Sequence, residues 1–309
     1  MVVRIGTRGS ALALAQTATV RSLLEARGAT VEVEIIKTTG DLVTDRPLVT
    51  IGGKGLFVKE IEQALTERRI DLAVHSLKDV PHTQPPGLTL CGVLPREEVR
   101  DALVLRPGDD AARLLDGGRI GTGSLRREAQ LRELFPACDI LPLRGNVDTR
   151  LRRLDQGDYD AVVLAAAGLR RLGKAGRITR LLDCSECLPA GGQAAIGLEI
   201  RSEDQEMARW VASLTDARCW DEVRAERAFL RELDCDCHTP VAVYAALQDD
   251  GRLWLRGALF ELVSRRRLDV ESFGPRADAA LLGRRVAELA LERGARELLR
   301  AAGPVGTDN

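Results

Sequence analysis

Residues 4–16, RIGTRGSALALAQ, and residues 119–130, RIGTGSLRREAQ, carry one pattern twice: a short apolar strand, a turn of Gly, Thr and Ser, then a helix. In the first, Ser10 is a natural helix N-cap. The echo continues downstream. ALTERRIDLAVHSLKDV at 64–80 and RRLDQGDYDAVVLAAAGLRRL at 152–172 both run helix, tight turn, aspartate-led apolar strand and loop. Alternation of strand and helix indicates a mostly parallel sheet covered on both faces, so the repeat predicts two similar α/β domains. The charged stretch PREEVRD at 95–101 reads as a crossover, and DCSECLPAGGQAAIGL at 183–198 as the loop that returns the chain. That assigns 1–97 and 196–215 to a first, discontinuous domain and 98–195 to a second. From 216 the pattern changes to a helix, the hairpin AVYAAL-QDDG-RLWLRGAL, a strand near 268–272 and a long helix over 277–301, a small α+β domain spanning 216–309.

Composition narrows the function. In 309 residues, 45% are hydrophobic and 29% charged, as in an ordinary globular protein. No run approaches the roughly 20 apolar residues of a membrane span. A formal net charge of -1 argues against bulk electrostatic binding of nucleic acid. The opening MVVRIGTRGS enters a strand at once, without a basic region or an apolar signal core, so the expected location is the cytoplasm. Seven cysteines, unevenly spaced, fit reduced thiols.

Three stretches carry candidate chemistry. GTGSLRR at 121–127 sets a Gly/Ser turn at a helix N-terminus, where free N–H groups and the dipole attract carboxylate or phosphate. Arg126 and Arg127 follow at once, with Arg144, Arg150, Arg152 and Arg153 further on; a guanidinium fork suits carboxylates, although a solvated basic face is the alternative for the last two. HSLKDVP at 75–81 lies past the carboxyl end of a parallel strand, where open α/β sheets bind ligands. There Asp79 is placed to act as a general acid or to face positive charge, and the alternative is a simple Lys78–Asp79 ion pair. LRELDCDCHTPVAVY at 230–244 places Cys237 in a loop between a helix and a strand, a better position for covalent chemistry than for packing. Cys184, Cys187, Cys235, Cys237 and His238 have spacings too loose for a zinc site, and no metal is expected.

Taken in order, IGTRGSALAL, TTGDLVTDRPL, IGGKGLFVKEIE, DLAVHSLKDVP, GTGSLRREAQL, LRGNVDTRL, DAVVLAAAGLRRLG, LPAGGQAAIGLE and CHTPVAVYA resemble the porphobilinogen deaminase family over nearly the whole chain. The resemblance implies two periplasmic-binding-protein-like α/β domains plus a small C-terminal α+β domain. It implies a transferase of porphyrin and haem biosynthesis that joins four porphobilinogen molecules head to tail, with loss of ammonia, into the linear tetrapyrrole hydroxymethylbilane. The implied primer is a dipyrromethane held by a thioether to Cys237. Asp79 would be catalytic. Lys78, Thr122, Ser124, Arg126, Arg127, Arg144 and Arg150 would bind the cofactor, and Arg8, Ser10, Arg171 and Phe57 the substrate. Lys54 and Lys59 would belong to a lid loop, and the chain would act as a monomer.

The sequence departs from the family pattern at three places. Cys235 and Asp236 stand where two glycines are usual, which offers a second thiol and a charge that would raise the pKa of Cys237. Gly123 replaces a common serine, so one hydrogen bond to the cofactor is expected to be lost. Ala194 replaces a frequent glycine, which puts hinge flexibility there in question. A small-anion binding module and a zinc-dependent regulator are the competing readings; the first has no use for Cys237 or Asp79, and the second rests on the cysteine pairs alone.

Overall fold

The computed structural model describes residues 1–42, 55–235 and 239–301. Lys54 and Cys237 lie outside them. Met1–Glu97 with Gly192–Trp220 forms one compact unit, and Glu98–Gly191 with the chain from Asp221 onward forms the other.

The first unit is built on a five-stranded sheet. Strands β1 (Val2–Thr7), β2 (Thr30–Ile35), β3 (Leu72–Ser76) and β4 (Leu88–Val93) come from the N-terminal segment. In the second unit β5 (Asp101–Leu105), β6 (Gly118–Thr122), β7 (Cys138–Pro142), β8 (Ala161–Ala165) and β9 (Arg180–Leu182) form another five-stranded sheet. Strand β10 (Ile196–Arg201) belongs to the first. The orders are β2-β1-β3-β10-β4 and β7-β6-β8-β5-β9, which superpose term by term. In both, the three leading strands are parallel and the fourth runs against its neighbours. That fourth strand is the one first reached after the chain changes unit, β5 after Glu97 and β10 after Gly191. It has no preceding crossover helix to reverse its direction, which is why each sheet is mixed rather than parallel throughout.

Helices cover the sheets because their apolar faces match. Val20 and Leu24 of the helix Ala11–Glu25 are buried with Val3, Ile5 and Leu72. On the opposite face Ile61, Ala64 and Leu65 of the helix Lys59–Thr66 bury against Ala73 and Leu88. Each buried Val, Leu or Ile among them contributes roughly 1.5–3 kcal/mol of transfer free energy.

The remaining strands, β11 (Val241–Leu247), β12 (Arg252–Phe260) and β13 (Arg267–Pro275), form an antiparallel sheet backed by the helix Ala279–Glu292. One long terminal helix is not what forms. Gly294, at φ 93°, separates Ala279–Glu292 from Ala295–Ala301, as a glycine in the left-handed region ends a helix. The edge of β11 is closed by side chains and by a loop. Glu226 accepts from Ala245 N at 2.9 Å, Glu222 from Leu247 N at 3.2 Å, and Pro189 O from Val243 N at 3.0 Å. Ala242, Ala258 and Phe260 share a core with Ala129 and Leu188, so this sheet packs on the helix Leu125–Leu134 within the same unit. Among the described residues no helix is long and apolar enough to cross a membrane.

Candidate active site

In the first unit the candidate residues gather at the carboxyl ends of the adjacent parallel strands β1 and β3. Arg8 follows β1, and Ser10 caps the helix Ala11–Glu25, its hydroxyl oxygen accepting from Ala13 N at 3.2 Å. The Arg8 guanidinium lies 4.2 Å from the centroid of the Phe57 ring, a cation–π contact. Gly40 leaves the room that this ring fills, since a Cβ there would collide with it. Lys59 is exposed at the start of its helix.

After β3, Ser76 donates to the buried Gln16 at 3.0 Å, and a tight turn over Leu77–Asp79 follows. Leu77 is fully buried. A Cβ on Gly192 would lie 2.9 Å from its side chain, and one on Gly197 3.0 Å, so the glycines of GGQAAIG are the seat on which this turn rests. Asp79 is half-buried, and among the described residues its carboxylate has no hydrogen-bond or ion-pair partner. The simple Lys78–Asp79 pair does not form.

The second unit presents the matching edge. Thr122 ends β6, Arg144 follows β7, and the helix Ala166–Arg171, ending on Arg171, follows β8; these three strands are adjacent and parallel. Ser124 caps the helix Leu125–Leu134 and accepts from Arg127 N at 3.4 Å, while Thr122 Oγ1 accepts from Ser124 N at 3.3 Å. Asn146 caps the helix Val147–Asp155, on which Arg150 donates from Nε to Gly145 O at 2.7 Å.

Arg126 and Arg127 are not surface groups. Both are buried and both hold Asp101, Arg126 Nη2 at 2.8 Å from Oδ2 and Arg127 Nη2 at 2.8 Å from Oδ1. Arg126 Nη1 also donates to Leu188 O at 2.6 Å, and Arg127 Nη1 to Val163 O at 3.2 Å. Burial disfavours the charge on Asp101, but the two guanidinium groups outweigh it and hold the carboxyl well below its usual range. Cys187 donates its thiol hydrogen to Asp101 Oδ2 at 3.4 Å; burial, then the Asp101 charge, pushes the thiol up to about 12. That thiol is a structural donor, not a nucleophile. Asp101 opens the buried strand DALVL. A charged residue leading an apolar run is the sequence signal for it, but within PREEVRD it reads only as part of a charged crossover.

Even so, the cluster keeps a surplus of positive charge, two arginines against one aspartate. Nε of Arg126, Nε of Arg127 and Nη1 of Arg144 are buried with no hydrogen-bond partner among the described residues. Buried unpaired N–H groups on cations are costly unless an anion completes them.

Two family models cover the chain: "porphobilinogen deaminase, dipyromethane cofactor binding domain" over residues 3–209 and "porphobilinogen deaminase, C-terminal domain" over 220–292. The chain belongs to the porphobilinogen deaminase family. It is 47% identical over 300 residues to the porphobilinogen deaminase of Syntrophobacter fumaroxidans, covering 96% of this chain and 97% of that protein. To the Roseiflexus castenholzii porphobilinogen deaminase it is 50% identical over 297 residues, with the same coverage. Among solved structures, the unliganded open L-cystine solute receptor of Neisseria gonorrhoeae aligns over 74% of this chain and 91% of its own at 15% identity, with a TM-score of 0.40.

The structure bears on two departures from the porphobilinogen deaminase pattern, favouring the first and straining the second. A Cβ at Gly123 would stand 2.6 Å from the Leu143 carbonyl oxygen, so this turn has no room for a serine. Ala194 adopts φ 73°, a left-handed conformation that glycine takes without strain. For the third, Cys235 is 1% exposed within the core of the three-stranded sheet, and its thiol lies 3.6 Å from Leu233 O. Asp236 lies outside the described residues.

Proposed function

We propose that this chain joins four porphobilinogen molecules head to tail, releasing ammonia, to give hydroxymethylbilane. The observation that carries the reading beyond family membership is the set of buried guanidinium N–H groups, without a hydrogen-bond partner among the described residues, on Arg126 and Arg127 after β6 and on Arg144 after β7. Porphobilinogen and its condensation products carry an acetate and a propionate on every ring. A site with surplus buried positive charge fits such polyanions, and it fits an acidic dipyrromethane held within the second unit.

Cys237 would anchor that dipyrromethane through a thioether. The described residues on either side of it, Cys235 and Thr239, belong to the unit that holds Arg126 and Arg127. The 216–309 segment is then the domain that presents the anchor. When bound, the dipyrromethane supplies the pyrrole carbon at which the growing chain is extended. The protein's own groups do the rest. Thr122 and Ser124 fix the turn that carries the arginines, and Arg144 and Arg150 hold ring carboxylates. Arg8 and Ser10 of the first unit, and separately Arg171 of the second, offer groups for substrate carboxylates, and Phe57 aligns Arg8 by stacking under its guanidinium. Lys78 adds charge beside the catalytic turn, and Lys54 and Lys59 belong to the segment that shields it.

Asp79, with a free carboxylate beyond the end of β3, faces the pyrrole nitrogen. In its acid form it passes its proton to the leaving amine as the C–N bond breaks and ammonia departs, and the carboxylate so formed stabilises the positive charge left on the pyrrole. The same reading makes the chain a cytoplasmic monomer.

Incubation with porphobilinogen tests this directly. One hydroxymethylbilane should appear for every four ammonia released, and Asp79→Asn should lose turnover while keeping its covalent adduct. Near-normal ammonia release by that variant would refute the role given to Asp79.

A further inference from the structure

Beneath the Asp79 turn lies a buried polar cluster that none of the roles above uses. His75 on β3 and Glu199 on β10 occupy diagonal positions of an antiparallel pair, Gly197 being opposite His75 and Glu199 opposite Ala73. Their side chains are 3% and 0% exposed, and His75 Nε2 lies 3.0 Å from Glu199 Oε2. The helix Lys59–Thr66 lies over the same face and adds the buried Glu62. Two carboxylates and one imidazole therefore share a dry site, with Glu62 Oε1 and Glu199 Oε1 both buried and unpartnered. From β4, the Cys91 thiol also feels Glu199; burial first, then the Glu199 charge, pushes it up to about 12, so it stays neutral.

Such a site is expensive to keep, since apolar side chains would fill it at lower cost. What it provides is directional. Leu77 N donates to Ala195 O at 3.0 Å, and β10 then carries Gly197, the seat of Leu77, and Glu199. The His75–Glu199 bond therefore fixes the register of β3 on the strand that supports the Asp79 turn.

We propose that His75 and Glu199, completed by Glu62, are positioning residues that set the placement of Asp79. The proposal rests on the catalytic reading of Asp79. Small misplacement of a catalytic group is enough to lower turnover by orders of magnitude. Burial, then the Glu199 charge, raises the Glu62 carboxyl to about 7, with His75 opposing, so Glu62 changes charge near neutral pH.

The test is steady-state turnover of porphobilinogen per cofactor-loaded enzyme, from pH 6 to 9, for His75→Leu, His75→Gln, Glu62→Gln and Asp79→Asn. In His75→Gln the amide nitrogen stands where Nε2 was and keeps the bond to Glu199. His75→Leu should lower kcat about tenfold or more with KM within about twofold, while His75→Gln should recover most of that loss. Glu62→Gln should flatten the part of the kcat profile centred near pH 7. If His75→Leu does not fold, the Glu62→Gln profile and the kcat of His75→Gln decide the matter. An unaltered Glu62→Gln profile together with equal losses in kcat and KM for the His75 variants would overturn the proposal. Full activity in Asp79→Asn would instead overturn the catalytic reading on which it rests.

Discussion

Asp101 Oδ1 accepts from Arg127 Nη2 at 2.8 Å in a site from which both side chains are shielded. The other oxygen takes Arg126 at the same distance, so one carboxylate aligns two adjacent arginines. Removing it would leave two uncompensated buried cations. Loss of one partner of a buried pair costs about 3–5 kcal/mol. Asp101→Ala should therefore lower the unfolding free energy by at least about 3 kcal/mol in urea denaturation. A loss under about 1 kcal/mol would mean that the arginines find other partners.

Arg144 should behave differently. It is half-buried, and Nη1 has no partner among the described residues. Arg144→Leu is expected to change stability by less than about 1 kcal/mol, but to reduce the fraction of chains carrying the adduct or to raise KM about tenfold, about 1.4 kcal/mol of a charge-assisted contact. Mass spectrometry for occupancy and initial rates for KM check the two halves.

The repeat in the sequence foretold two α/β units and the edge at which their loops gather, because hydrophobic period and turn residues are local properties. Asp101 was not legible. Its role depends on Arg126 and Arg127 arriving from another strand and helix, a relation that no local pattern contains. The antiparallel β5 and β10 were missed for a similar reason, since strand direction here follows from where the chain crosses between units. The position of Asp79, by contrast, follows from its place just after an apolar strand. The His75–Glu199 contact joins residues 124 apart in sequence, and only β3–β10 pairing reveals it.

Two nearby positions share φ 73° and should respond in opposite senses. Ala194→Gly relieves left-handed strain of about 1–2 kcal/mol, partly offset by the extra entropy of an unfolded glycine, for a net gain near 0.5 kcal/mol. Gly192→Ala adds that strain and drives a Cβ to 2.9 Å from Leu77. It should destabilise by about 2 kcal/mol or more and depress turnover through the Asp79 turn. Urea midpoints for both variants check the pair of signs.

Stability should depend on pH through two groups acting at opposite ends. Glu62 has a folded pKa of about 7 against an ordinary 4.5. Its contribution is fully present below about 4.5 and is lost as pH rises through 7. Asp101 is depressed in the fold, so its contribution is present above the ordinary 3.8 and is lost as pH falls below it. Melting temperatures of wild type and Glu62→Gln should therefore diverge from pH 5 to pH 8, the variant being the more stable at pH 8. Parallel curves would show that Glu62 does not titrate in that window.

Cys237 is the proposed anchor of the dipyrromethane. The intact mass of the denatured protein, measured beside Cys237→Ser, tests it most directly. The predicted result is a wild-type mass above that of the sequence by two condensed pyrrole units, with the addition absent from the variant. Persistence of the addition in Cys237→Ser, or a wild-type chain that stays unmodified after incubation with porphobilinogen, would contradict it.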